Sequence, residues 1–351
     1  MKIGVVTVHD SSNFGSYLQA YAMKTALEGL GHEVYFIKTR DKKYLKRIFY
    51  KYPVSRKSVK HPIKVFKEYL AGRKKRKLFL EDVSLMNELE KWDDITLDKI
   101  VLGSDEIWNL NISAFSNEIF YGVGMNNVNA FAVSMGNANY KQYLKCPNLI
   151  EAIKNVNNIY VRDKNTQDIV EQITGDKKQI VCDPTFLVPV EKYTKKQIKD
   201  FGIKEDYILV YAYEVAINEN IKHSIIRFAK ENGLKVVSAC FILDWCDYNI
   251  NCSPLDFCSI IKDAKYVVTT TFHGTIFSVL NHKKFLCMPY SIKVNDVLSR
   301  VKLNSVIFDN NGSYEDFERI LKNNDIDYDM VDRLILEQRN NGIEALKKCI
   351  S

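Results

Sequence analysis

Short apolar runs, each followed by a stretch of helical periodicity, recur along the whole chain. "IGVVTV" (3–8) is an apolar run of strand length. The following "SSNFGSYLQAYAMKTALEGLGHEVYFI" carries Leu18, Tyr21, Ala22, Leu27 and Leu30 at helical spacing, then Gly31 as a stop and "EVYFI" as a new strand. The alternation returns at 99–105, 130–136, 158–166 and 179–188, and again at 207–213, 235–241, 266–274 and 285–290. Apolar strands spaced by helices predict parallel sheets covered on both faces.

The number of strands sets the number of domains. Five or six precede Pro184 and about four follow it, too many for one compact half and natural for two doubly wound units. The polar stretch "VEKYTKKQIKDFGIKED" separates the sets. This reading gives an N-terminal domain 1–188, with a basic helical insertion at about 42–90, and a C-terminal domain 189–351. Helices at 314–322 and 331–348 finish the second domain, the last able to pack back on the first.

Composition narrows the class. With 46% hydrophobic and 26% charged residues among 351, the chain is ordinary for a globular protein. No apolar run approaches the roughly 20 residues that cross a bilayer, and the start is strand-like rather than a signal peptide, so a cytoplasmic location is expected. The eight cysteines include no C-x-x-C pair. Cys240, Cys246, Cys252 and Cys258 recur every six residues, an interval that fits no usual zinc spacing and holds no histidine. They read as reduced structural thiols, and no metal is expected.

The formal net charge of +7 is uneven, because 42–77 holds fifteen Lys or Arg against Glu68 alone. Interleaved Tyr44, Ile48, Phe49, Tyr50, Val65, Phe66 and Tyr69 suggest amphipathic helices whose cationic faces suit anionic lipid. A solvated charged face is the plainer alternative. No nucleic-acid module accompanies the charge, so nucleic acid is not an expected partner.

Candidate chemistry follows from where the strands end, since open parallel sheets bind ligands beyond the carboxyl ends of their strands. A strand at 266–270, a helix at 274–281 and a strand at 285–288 bring His273 and Lys293 to one edge of strands about 4.8 Å apart. His273 also meets a helix N-terminus, which attracts anions; helix capping and an ordinary surface lysine are the structural alternatives. "VLGSDEIWN" sets Ser104, Asp105 and Asn109 after a strand, with Trp108 able to stack on a sugar or to fill core. "YVRDKNT" ends a strand with Arg162, whose planar donor fork fits a carboxylate or phosphate, or a salt bridge. "VHDSSNFGS" supplies Asn13 and Gly15 in a loop that matches neither G-x-G-x-x-G nor the P-loop pattern.

"NFGSYLQAYAM", "GSDEIWN", "YVRDKNT", "DPTFL" and "TTTFHGTIFSVL", in this order and at these intervals, resemble the polysaccharide pyruvyl transferase family. The likeness runs from Asn13 to about Lys293. It implies an α/β, GT-B-like fold: two Rossmann-like doubly wound parallel-sheet domains facing across a cleft, acceptor side first and donor side second. It also implies transfer of a pyruvyl group from phosphoenolpyruvate to two hydroxyls of a sugar, forming a pyruvate ketal without metal or organic cofactor. The acceptor would be a cell-surface polysaccharide or its lipid-linked precursor, which would bring 42–77 to the inner face of the membrane.

The family's phosphoenolpyruvate-binding arginine, histidine and lysine fall on Arg162, His273 and Lys293. Substrate contacts are expected at Asn13, Gly15, Ser104, Asp105, Trp108, Asn109, Thr271, Gly274 and Thr275. Glu106 stands where Gln is common in the family, and Thr271 where Ser or Arg is often seen. Phosphoenolpyruvate must be protonated at C3, for which His273 is the best candidate. Arg162 and Lys293 would hold its carboxylate and phosphate. The base for the sugar hydroxyl stays open between Asp105 and Glu106. The alternatives are a GT-B glycosyltransferase using a nucleotide sugar and a non-catalytic saccharide-binding protein.

Overall fold

The computed structural model describes residues 1–11, 13–39, 62–193, 195, 200–289, 292–323 and 325–351. The chain forms two compact units. One comprises Met1–Leu45, Val83–Pro189 and Ile335–Ser351, the other Lys46–Asp82 and Val190–Leu334.

In the first unit, β1 (Lys2–Val6) leads into α1 (Phe14–Gly29) and β2 (Glu33–Ile37). Helix α2 (Pro62–Val83) follows and counts with the second unit up to Asp82. The chain then supplies β3 (Glu88–Leu89), β4 (Lys99–Leu102), β5 (Val128–Val133), α3 (Pro147–Lys154), β6 (Ile159–Val161) and α4 (Lys164–Thr174). Among the described residues the sheet runs β3-β2-β1-β4-β5-β6, parallel throughout. Ile3, Val5 and Val6 of β1 are fully buried, as a strand flanked on both faces requires. Capping starts the helices: Asn13 accepts from the Gly15 N–H and Asp163 from the Thr166 N–H.

The second unit contains β7 (Tyr207–Tyr211), α5 (Glu219–Glu231), β8 (Lys235–Ala239), β9 (Tyr248–Ile250), α6 (Pro254–Asp263) and β10 (Tyr266–Thr269). It continues with α7 (Phe272–Leu280), β11 (Lys284–Cys287), α8 (Ile292–Arg300), α9 (Tyr314–Lys322) and the first residues of α10 (Tyr328–Ile350). The order is β11-β10-β7-β8-β9, again all parallel. In each unit the winding reverses beside the first strand, between β1 and β4 and between β7 and β10. Ligand sites in open α/β sheets form at the carboxyl ends of such a pair.

Three details differ from the sequence reading. The run 179–188 is no strand: only Ile180 bridges, to Val161, and a 3₁₀ turn at Pro184–Phe186 follows. Asp183 caps that turn and Pro184 has no N–H to continue a ladder. Lys293, expected just past the strand at 285–288, lies in the first turn of α8, a helix the sequence reading does not name.

The third difference is the place of α2, which counts with the second unit rather than as an insertion of the first; the division itself falls at Pro189, and the end of α10 returns to the first unit as the sequence reading allows. Helix α2 joins the second unit through Asp82, which pairs with Lys195 at 2.8 Å and accepts from the Leu255 N–H. The end of α10 joins the first: Arg339 Nε donates to the Phe186 carbonyl at 2.9 Å, and a Cβ on Gly342 would lie 2.6 Å from Leu187. Residues 42–61 of the basic segment lie outside the described residues. Among the described residues no helix is long and apolar enough to cross a membrane.

Candidate functional site

In the second unit a ladder of threonines fixes the carboxyl end of β10. Thr269 Oγ1 donates to the Tyr211 carbonyl on β7 at 2.8 Å and accepts from the Thr271 N–H at 3.1 Å. Thr271 Oγ1 caps α7 by accepting from the Gly274 N–H at 3.0 Å, and Thr275 Oγ1 donates back to the Thr271 carbonyl at 2.9 Å. A Cβ on Gly274 would lie 2.2 Å from Thr269 Oγ1 and 2.7 Å from the Tyr211 ring. Glycine is therefore what lets the first turn of α7 seat against β7 and β10.

That turn carries His273, 9% exposed, with its ring 5.0 Å from the Phe272 ring and perpendicular to it. Lys293 Nζ lies over the same Phe272 ring, 5.6 Å from its centroid, at cation–π range. The pairing of β10 with β11 and the start of α8 thus bring His273 and Lys293 to one aromatic ring, at the N-terminus of α7. Phe272, between the two, carries no sequence signal of its own. Around the site burial keeps neighbouring groups neutral: it pushes the Tyr211 phenol well up and the Cys287 thiol up to about 12.

In the first unit Asp105 follows β4 with a left-handed backbone (φ 75), a conformation Asp tolerates better than most residues. Its carboxylate accepts from Ser16 Oγ at 2.7 Å and from the Glu106 N–H at 2.9 Å. Arg162, beyond β6, is buried: Nη1 pairs with Asp183 Oδ2 at 2.9 Å, and Nη2 is 3.9 Å from Asp105 Oδ1. Asp183 in turn accepts from the Thr185 hydroxyl and N–H. The salt bridge left open as an alternative for Arg162 is what the unit contains. Arg162 belongs to the first unit, His273 and Lys293 to the second.

Several expected contact residues are supports instead. Trp108 is fully buried, stacked on Tyr121 at 5.9 Å, and its indole N–H donates to the Phe120 carbonyl. It fills core, because its one polar atom is satisfied internally, and so it is not a sugar platform. Ser104 is fully buried and donates to the Ala132 carbonyl. Asn109 is buried against Glu106, Oε2 to Nδ2 2.7 Å. Thr275 and Gly274 are buried parts of the threonine ladder, Gly15 is buried in α1, and Asn13 is an exposed cap.

One group escaped the sequence reading. His9, just past β1, is buried with Nε2 2.9 Å from Glu88 Oε1. Its partner sits on β3, a two-residue strand too short for any periodicity to reveal. Only the "VHD" after the first strand could have drawn attention to it.

Comparison with known proteins places this architecture. Among solved structures, a UDP-N-acetylglucosamine 2-epimerase superposes with a TM-score of 0.56 at 11% identity, covering 99% of this chain and 94% of that one. A putative UDP-N-acetylglucosamine 2-epimerase from Listeria monocytogenes gives 0.56 at 10% identity, with 99% and 95% covered. The UDP-GlcNAc 2-epimerase from Neisseria meningitidis gives 0.56 at 12%, with 99% and 100% covered. At such identities the likeness concerns the fold alone, which is α/β and GT-B-like. No curated protein sequence matches the chain. The family model for polysaccharide pyruvyl transferase, however, matches residues 13–292, a span holding the five motifs from Asn13 to Leu280 and the Phe272–His273 turn, and the chain therefore belongs to the polysaccharide pyruvyl transferase family.

Proposed function

We propose that the protein transfers a pyruvyl group from phosphoenolpyruvate to two hydroxyls of a sugar, as a ketal on a cell-surface polysaccharide or its lipid-linked precursor. The observation that carries this reading is the meeting of His273 and Lys293 at the Phe272 ring, on the N-terminus of α7. An ammonium and a helix N-terminus both favour a bound anion, and an imidazole beside them is suited to deliver a proton.

The chemistry balances without another reactant. His273 protonates C3, which becomes the methyl group, and C2 becomes an oxocarbenium-like centre. One sugar hydroxyl adds to C2 and gives its proton to the base, the C2–O bond to phosphate breaks, and the second hydroxyl closes the ring on C2 and gives its proton to the departing phosphate. Lys293 offsets the charge on the departing phosphate. In the first unit the Asp105 carboxylate, held by Ser16, is the candidate base for the sugar hydroxyl. The work is expected to take place in the cytoplasm, where phosphoenolpyruvate is available.

The test is phosphate release from phosphoenolpyruvate with a panel of free and lipid-linked glycans, beside thermal shifts with phosphoenolpyruvate and with nucleotide sugars. Expected are a shift with phosphoenolpyruvate alone and turnover with one glycan class. His273→Ala should abolish most of that turnover while the phosphoenolpyruvate shift persists. A shift with a nucleotide sugar and none with phosphoenolpyruvate would show the reading to be wrong.

A further inference from the structure

Helix α2 has two faces of different use. Val65, Arg76, Phe79 and Val83 are buried, at 2%, 5%, 1% and 5% exposure. On a helical wheel Ile63, Phe66, Leu70, Arg73, Lys74 and Lys77 share a different face, and all six are exposed. Ile63, Phe66 and Leu70 are 73%, 52% and 47% exposed, a row of large apolar side chains one helical turn apart. The same face therefore begins apolar, turns cationic at Arg73, Lys74 and Lys77, and closes on the exposed Glu81.

The helix is held to a folded support. Asp82 pairs with Lys195 and accepts from the Leu255 N–H, and Lys75 Nζ lies 3.3 Å from the Cys240 carbonyl, all within the second unit. Its outer face is thus already ordered. On this face Arg73, Lys74 and Lys77 outnumber the one acid Glu81 among the described side chains, so two copies of it would repel. A polyanion alone would leave the apolar row in water.

We propose that the outer face of α2 docks on an anionic lipid bilayer, with Ile63, Phe66 and Leu70 inserted at the headgroup boundary and Arg73, Lys74 and Lys77 on the headgroups. Reversible attachment of an interfacial helix draws on both signals together, apolar insertion and attraction to anionic lipid. The inference is independent of the transfer reaction and is tested without any substrate.

The experiment is flotation of the full chain with vesicles of phosphatidylcholine plus phosphatidylglycerol, and of phosphatidylcholine alone, at about 0.01 M and about 1 M salt. Two variants accompany it, Phe66→Asp with Leu70→Asp, and Arg73→Glu with Lys74→Glu and Lys77→Glu. All five substituted positions are solvent-facing, and unchanged circular dichroism confirms that the variants fold. Binding is expected on the anionic vesicles only, weakened by salt, and lowered about tenfold or more by either variant. Equal binding to neutral vesicles, no binding at low salt, or binding indifferent to the Phe66/Leu70 variant each overturns the proposal. So does concentration-dependent self-association that the Phe66/Leu70 variant abolishes, since the face would then belong to a second copy.

Discussion

Arg162 Nη1 and Asp183 Oδ2 lie 2.9 Å apart with both side chains withdrawn from solvent, joining the end of β6 to the turn at Pro184–Phe186. Removing one member leaves the other a buried charge without its 2.9 Å partner, at about 3–5 kcal/mol. Arg162→Ala and Asp183→Ala are each expected to destabilise by about that much in urea unfolding. The double variant should lose much less than the sum, because neither charge is then stranded. Additive losses would mean the pair is not coupled. A fall in phosphoenolpyruvate affinity at an unchanged urea midpoint would show Arg162 spending its charge on the ligand.

Gly274 makes a sharper test of the second unit. Its absent Cβ leaves room for Thr269 Oγ1, Thr271 Oγ1 and the Tyr211 ring, all within 2.7 Å of where that atom would stand. Gly274→Ala must displace the first turn of α7, at about 1–3 kcal/mol for overpacking, and His273 moves with it. The expected result is a lowered melting temperature and a larger loss of turnover than the stability change explains. Wild-type kinetics in this variant would mean that the position of α7 is immaterial to the reaction.

The scattered cysteines predict their own reactivity. Burial pushes the thiols of Cys246, Cys287 and Cys349 from the ordinary 9.0 up to about 12, and those of Cys252 and Cys258 well above 9.0. Iodoacetamide on the native protein should reach the half-exposed Cys146 and Cys240 and spare the six buried thiols. The folded values lie above the unfolded ones, so this contribution to stability is intact below pH 9 and is lost as pH rises toward 12. Each of the three thiols then removes about 1.4 kcal/mol per pH unit across that window. Mass-spectrometric mapping of alkylated peptides and urea midpoints taken up to high pH check both statements.

The doubly wound sheets were legible because buried parallel strands write continuous apolar runs, and β1, β7 and β10 stand out at sight. The short β3 and β9 were not, since two or three residues carry no period. The meeting of His273 and Lys293 followed from topology, because a parallel crossover returns the chain to one edge. The role of Trp108 stays open between sugar platform and core for a general reason: a ring after a strand looks the same in sequence whether it faces a ligand or Tyr121. The Arg162–Asp183 pair spans 21 positions and could be foreseen only as one of two open readings. The membership of α2 in the second unit depends on Asp82 reaching Leu255, 173 positions away, a contact that no local pattern announces.

Asp105 and Glu106 are adjacent in sequence but differently engaged, and that difference lets a pair of variants test which of them acts as the base. Asp105 is 18% exposed at the carboxyl end of β4, and Ser16 steadies it. Glu106 instead accepts from the Asn109 amide at 2.7 Å, a bond that a glutamine oxygen would accept equally well. Asp105→Asn keeps the size, the tolerance of a left-handed backbone and an acceptor for Ser16, while removing the charge and the basicity. It is expected to fold normally and to lose about 10²–10⁴ in kcat with phosphoenolpyruvate binding unchanged. Glu106→Gln should keep nearly full activity, in line with the glutamine common at that place in the family. The reverse outcome, an inactive Glu106→Gln beside an active Asp105→Asn, would assign proton removal to Glu106 and leave Asp105 as a fixed point of the turn after β4.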